Sequence, residues 1–298
     1  MNVKFHKFSW RSDAQIIAHP FLTPFTERAT VSGIMKLTFL KLGGSLITDK
    51  TRPYTPRMDK LAELAAQIAA ATHLDPGLCL VLGHGSGSFG HAAASQNWPA
   101  TSNWEAEDWR GFAEVWYQAS ALNRLVMDAL HSANLPAISF PPSAATQAEN
   151  GTIEDWYIKP LRNALKAGIL PVIFGDVAFD ATLNGTILST EDLFFTLASH
   201  LHPQRILLAG LEKGVWADFP ARTKLVKVIT PENYGSFSAG MAGAAGMDVT
   251  GGMASKVEQM LALVAENPGT EVLIFSGEAP NTVKNAVLGM NTGTLLRC

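Results

Sequence analysis

The sequence predicts an α/β fold with an open, mainly parallel central sheet, flanked by helices as a three-layer sandwich. Three observations carry this. Apolar runs of strand length recur along the chain, the longest from Ile169 to Phe174. They alternate with segments of helical periodicity, the pattern of strands covered on both faces by crossover helices. No Pro/Gly/Ser-rich linker divides the chain, so the elements are expected to share one continuous sheet. With 298 residues, 47% hydrophobic and 16% charged, the chain can bury a sizeable core and is not a disordered or coiled-coil sequence.

In order, strands are expected at Leu37–Leu42, Leu78–Leu82, Ala137–Phe140, Pro171–Phe174, Arg205–Ala209, Glu271–Phe275 and Thr294–Leu296. Helices are expected at Arg57–Thr72, Glu105–Ser132, Asp155–Ala167, Thr190–His200, Gly252–Glu266 and Ala279–Leu288. The Asn184-Gly185 pair, between two short β-like stretches, reads as a hairpin turn. Residues 1–34 show no clean period and are expected outside the fold. They read as a tail, an organelle-targeting stretch or an upstream start, the first and last fitting best.

The net charge of −3 supplies no basic excess for nucleic acid or an acidic membrane surface. No apolar run approaches the roughly 20 residues that span a bilayer. Cys79 and Cys298 make no disulfide scaffold and fit a reducing cytoplasm.

Glycine clusters follow the expected strands, where α/β proteins bind ligands. Lys41-Leu42-Gly43-Gly44-Ser45 joins a strand-end lysine to a turn whose amides can face an anion, and Lys50 follows. Gly83-His84-Gly85-Ser86-Gly87-Ser88-Phe89-Gly90-His91 is richer. Its formal G-x-G-x-x-G match suggests a dinucleotide, but the acidic residues about 20 positions on fall in a tryptophan-rich helix rather than at a strand end. There is no P-loop. Gly175-Asp176 is a further tight turn. Asp248-Val249-Thr250-Gly251-Gly252-Met253-Ala254-Ser255-Lys256 opens a helix whose first amides suit a phosphate. Four glycine turns and three lysines suit two phosphorylated ligands facing each other.

With these motifs the chain resembles the amino-acid kinase superfamily, specifically the isopentenyl phosphate kinases, from about Lys36 to Leu296. The glycine loop ending in His91 and the Thr-Gly-Gly-Met form of the later motif carry the resemblance. It implies ATP-dependent phosphorylation of isopentenyl phosphate, with Mg²⁺, in a homodimer. It also implies a kinase domain over 35–298, with an acceptor lobe at about 35–190 and a nucleotide lobe at about 191–298. Lys41 and Lys50 would stabilise the transferring phosphoryl group. Gly43, Gly44, Ser45, Gly85, Ser86, Gly90, Gly175 and Asp176 would cradle phosphate on the acceptor side, and His91 would hold the acceptor's phosphate. Thr250, Gly251, Gly252 and Lys256, with Lys41, Gly44 and Lys213, would contact ATP. Glu191 or Asp192 would orient the lysines, unless Thr190 caps a helix and both acids merely favour its positive end. His84 is expected to be structural. No protein metal site is expected.

The tryptophan-rich helix carries Trp109, Phe112, Val115, Trp116, Leu122 and Val126, an apolar stripe of the kind that usually faces a core. One wall of it could receive a C5 tail, with Ala113, Ala119 and Ala121 leaving room. Three alternatives compete: a fosfomycin kinase-like enzyme, which shares the histidine; a non-catalytic nucleotide sensor of the same fold; and, more distantly, a Rossmann oxidoreductase.

Overall fold

A computed structural model describes residues 36–99, 104–237 and 252–298. Residues 1–34 lie outside the described part of the chain.

The strands are β1 (Leu37–Leu42), β2 (Cys79–His84), β3 (Ala137–Ser139), β4 (Thr146–Glu149), β5 (Thr152–Trp156), β6 (Leu170–Phe174), β7 (Asp176–Asp180), β8 (Asn184–Leu188), β9 (Arg205–Gly210), β10 (Val228–Ile229), β11 (Glu271–Ser276) and β12 (Thr294–Leu296). The helices are α1 (Gly44–Ile47), α2 (Met58–Leu74), α3 (Gly87–Asn97), α4 (Ala106–Ser132), α5 (Lys159–Lys166), α6 (Thr190–Leu201), α7 (Gly252–Glu266) and α8 (Thr282–Val287).

The main sheet has the order β10-β12-β11-β9-β1-β2-β6-β3, parallel throughout except where β12 meets β11. Its strands alternate between two cores. Phe39, Val81, Ile173, Ile206 and Ile274 point to the side covered by Leu193, Phe194 and Leu197 of α6 and Val257, Met260 and Val264 of α7. Leu40, Leu82, Val172, Leu207 and Phe275 point to the side covered by Leu64 and Ile68 of α2, Leu122 and Val126 of α4 and Val283 of α8. Each fully buried side chain of this kind contributes about 1.5–3 kcal/mol. The three-layer α/β class is therefore as expected.

The single continuous sheet is not. β5-β4-β7-β8 form a separate four-stranded sheet. Its burial is uneven: along β4, Thr146 and Ala148 are buried while Gln147 and Glu149 are exposed, whereas in β7 Ala178 joins the core beside α6 and Val177 packs with Phe112 and Val115 of α4. Such short, half-polar strands carry too little apolar signal to stand out in the sequence.

Three boundaries also differ from expectation. Asp155 lies in β5, and α5 begins only at Lys159 because Pro160, which lacks an N–H, must sit in the first turn. The hairpin near residue 184 exists, but Asn184-Gly185 opens β8 and the turn precedes it. Gly185 is needed there for room: a Cβ would come 2.5 Å from Trp104 and 2.8 Å from Phe112. Finally, the glycine-rich run after residue 83 is not one loop. Gly83 and His84 finish β2, and residues from Gly87 onward form α3.

Candidate active site

Parallel pairing of β1 with β2 sets Lys41 opposite Gly83 and Leu42 opposite His84, so both glycine turns leave the sheet side by side. The Gly43 N–H donates to Ala209 O at 2.8 Å and the Gly85 N–H to Leu42 O at 3.0 Å. The turns touch backbone to backbone: a Cβ on Gly44 would lie 2.6 Å from both Cα and N of Gly87. The Ser86 side chain does not cap α3; the Ser88 N–H donates to Thr48 Oγ1 at 2.9 Å, and the anion-attracting start of this helix borders the cleft.

The turns border a cleft of about 570 Å³ at the strand ends. Lys41, Gly43, Gly44, Ser45 and Lys50 form one stretch of its wall. Gly85, Ser86, Gly90 and His91 form a second, and Gly175 and Asp176 a third. Glu191, Gly252 and Lys256 lie on its border as well. His91 stands on the second turn of α3 rather than at a helix start.

Glu191 joins two of the lysines. Lys41 Nζ donates to its Oε2, and Lys256 Nζ lies 3.6 Å from its Oε1. Burial opposes ionisation of Glu191, but Lys41 and then Lys256 outweigh that and hold the carboxyl down at about 2. Burial also presses the Lys41 ammonium toward its neutral form, and Glu191 opposes this. Asp192 is used differently. Its Oδ2 accepts from the Ser189 N–H at 2.8 Å while its own N–H donates to Ser189 Oγ at 3.1 Å, a reciprocal cap. Its Oδ1 accepts from Gln259 at 2.7 Å. Ser189, not Thr190, is thus the cap of α6, and Thr190 instead donates to His84 O at 2.7 Å.

His84 is fully buried, stacks on Phe174 with centroids 5.5 Å apart, and pairs through Nε2 with Asn123 Oδ1 at 3.1 Å. Burial lowers its pKa and favours the neutral ring, consistent with a structural part. Asp176 is 1% exposed. Its Oδ2 accepts from Ser143 Oγ at 2.7 Å and from the Ser143 N–H at 3.3 Å. Its Oδ1 is buried and has no hydrogen-bond partner among the described residues. Burial pushes this carboxyl up to about 6, against the Ser143 donors and the Val177 N–H.

Sequence reasoning missed part of the far end of the cleft. Lys213 is exposed and does not border it, whereas its neighbours Glu212 and Gly214 do, with Trp216, Phe219 and Arg222. Glu212 accepts from Trp216 Nε1 at 2.9 Å and pairs with Arg222 at 2.9 Å, and the Arg222 guanidinium lies 5.2 Å from the Phe219 ring centroid. The four-residue spacing of Glu212 and Trp216 after a strand end was the available signal. Thr250 and Gly251 lie outside the described residues. Ser143 has no motif of its own and is visible only through Asp176.

On the other side, Val115 and Ala119 of α4, Ala94 of α3 and Ile187 of β8 give the cleft an apolar wall. The stripe of α4 is thus divided: Leu122 and Val126 enter the core, Val115 and Ala119 face the cleft, and Trp116 is 43% exposed. Ala113 is exposed and Ala121 packs on the α2 side of the sheet, so only Ala119 of the three expected alanines leaves room here.

A sheet of this order, with lysines bridged by one carboxylate among glycine turns, defines a phosphoryl-transfer architecture. The sequence pattern of the amino acid kinase family matches residues 36–276, and the chain belongs to that family. The isopentenyl phosphate kinase of Methanothermobacter thermautotrophicus is 34% identical over 85% of this chain and 96% of its own. That of Methanocaldococcus jannaschii is 31% identical over 87% and 97%. A solved isopentenyl phosphate kinase structure superposes with a TM-score of 0.72 at 30% identity, covering 87% of this chain and 99% of that one.

Proposed function

We propose that this protein transfers the γ-phosphoryl group of ATP to isopentenyl phosphate, giving isopentenyl diphosphate and ADP. The observation that carries the reading is one cleft that joins a Lys41–Glu191–Lys256 cluster and glycine turns to an apolar wall. The cluster and turns suit two phosphates, and the wall suits a hydrocarbon tail.

An oxygen of the acceptor phosphate attacks the γ-phosphorus as the bond to the β–γ bridging oxygen breaks, and ADP leaves. Little covalent work falls to the protein; its part is alignment and charge stabilisation. Lys41 and Lys50 neutralise charge on the transferring group. Amides at Gly43, Gly44, Gly85 and Gly175 hold phosphates where side chains would intrude. His91 binds the acceptor phosphate as a cation or a neutral donor. Glu191 aims Lys41 and Lys256 and opposes the loss of the Lys41 proton that burial favours, while Asp192 acts on the helix end. Gly252, Lys256 and the Trp216–Phe219 side serve ATP, with Thr250 and Gly251 of the same motif. Lys213 drops out of the ATP set.

The reading includes an acceptor lobe at about 35–190 and a nucleotide lobe at about 191–298, a homodimer and a cytoplasmic setting. Among the described residues no helix is long and apolar enough to cross a membrane. Nor does any cluster of three or more His, Cys, Asp or Glu suited to a metal occur among them. Mg²⁺ is read as an ion carried by the ATP phosphates, the usual arrangement for Mg²⁺ in phosphoryl transfer.

A fosfomycin kinase is the second reading; the apolar wall of Val115, Ala119 and Ile187 disfavours it, because a small polar epoxide gains little there. Comparison of kcat/KM for isopentenyl phosphate and fosfomycin with ATP tests the choice. A higher value for fosfomycin would reverse it.

A further inference from the structure

We propose that Asp176 binds the acceptor's phosphate as a neutral carboxylic acid, donating a hydrogen bond from Oδ1 and taking its proton from solvent as the acceptor enters. This rests on the acceptor's being a monophosphate.

The arrangement of the two oxygens carries the inference. Oδ2 already accepts two hydrogen bonds, from the hydroxyl and the amide of Ser143. A proton on the carboxyl therefore belongs on Oδ1, which is buried and has no hydrogen-bond partner among the described residues. Asp176 borders the cleft beside Gly175, and Gly175 in turn sits close to the start of α3: a Cβ on it would lie 3.7 Å from Ser86 N. An ionised carboxylate at this point would repel an incoming phosphate; an acid would hold it.

Charged neighbours do not explain the residue. β6, β8 and the 3₁₀ turn Pro142–Ala144 contain no titratable side chain. β4 places Glu149 at its far end, toward Asp180, and α4 meets β7 through Phe112 and Val115. His84 accepts from the Gly175 N–H through its backbone carbonyl, while its ring stacks on Phe174 and pairs with Asn123. Across the cleft are His91, Lys41, Lys50, Glu191 and Lys256. Burial is what raises Asp176, to about 6. In the free protein at neutral pH the group is thus mostly ionised, and donation to a phosphate requires uptake of a proton. Release of the product returns it.

Calorimetry of isopentenyl phosphate binding to the full chain at pH 7.5, in two buffers of different ionisation enthalpy, counts that proton. The wild type should take up about one proton more per acceptor bound than Asp176→Asn. The amide can accept from Ser143 and still donate, so its acceptor Kd should stay within about threefold. Asp176→Ala should weaken acceptor binding roughly 10- to 100-fold, the range of one hydrogen bond to a charged group. Should the Asn variant not fold, Ser143→Ala serves instead. Loss of its hydroxyl donor raises the carboxyl further, so uptake at pH 7.5 should fall. Equal proton counts in wild type and whichever variant folds would overturn the proposal while leaving the acceptor intact. No binding of isopentenyl phosphate by the wild type would overturn both.

Discussion

Glu191 holds two ammonium groups at once, and this decides what its replacement does. Glu191→Gln strips Lys41 and Lys256 of their shared anion, leaving a buried uncompensated lysine. Unfolding free energy should drop by about 3–5 kcal/mol and kcat by about 100-fold. Chemical denaturation and steady-state kinetics check the two separately, and a variant with wild-type kcat would remove Glu191 from the mechanism. His91→Ala should chiefly raise the acceptor KM and Lys50→Ala chiefly lower kcat; near-normal constants in both would break those roles. Asp176 carries a stability consequence as well. Its carboxyl sits at about 6 in the folded protein against about 3.9 unfolded, so the folded state holds the proton more tightly. Its contribution to stability is therefore greatest below pH 4 and lost as pH rises to about 6. Asp176→Asn should gain stability relative to wild type across that window, by at most about 3 kcal/mol. That Lys41, Lys50, Lys256, His91 and the glycine turns share one cleft was legible in the sequence because they lie in compact motifs at strand ends and helix starts, whereas Lys213 lies off it. The choice between Glu191 and Asp192 was not. Two adjacent acids at a helix start look alike until the capping geometry shows that one is occupied by the backbone.

At the scale of elements, the small sheet hangs on Asp180. Its carboxylate accepts from the N–H groups of Asn150, Gly151, Thr182 and Leu183, at 2.7–3.2 Å, so it ties the β4–β5 and β7–β8 turns together. Although burial alone would raise it, these donors lower its pKa. Its stabilising effect is present above about pH 4 and fades as pH falls through the folded-state value. Asp180→Ala should cost about 2–4 kcal/mol at pH 7, with the gap to wild type narrowing in acid. A thermal scan at both pH values checks the direction. Because β8 carries Ile187 to the cleft wall, the variant's acceptor KM should rise while its ATP KM holds. Ala119→Leu tests the same wall from α4. A branched side chain there should raise the acceptor KM several-fold and leave ATP binding alone; unchanged kinetics would place the tail elsewhere. The strands of the main sheet were legible as continuous apolar runs, since both their faces are covered. The small sheet was hidden by its short, half-polar strands, and α3 by the glycines at its start, which signal a turn when read locally.

For the whole molecule, the mainly parallel sheet explains why one cleft gathers residues from positions 41 to 275: strand after strand delivers its end to the same edge. The class of fold was therefore readable from the order of the elements, and the motifs from their resemblance to the family. Division into two sheets and the aromatic end around Trp216 depend on contacts between distant segments and were not. The central claim is the reaction itself, and phosphorus NMR observes it without coupling enzymes. Protein incubated with ATP, Mg²⁺ and isopentenyl phosphate should convert the monophosphate singlet into the paired doublets of a diphosphate, with one ADP formed for each. ADP accumulating with inorganic phosphate, or no change in the monophosphate signal, would contradict the account.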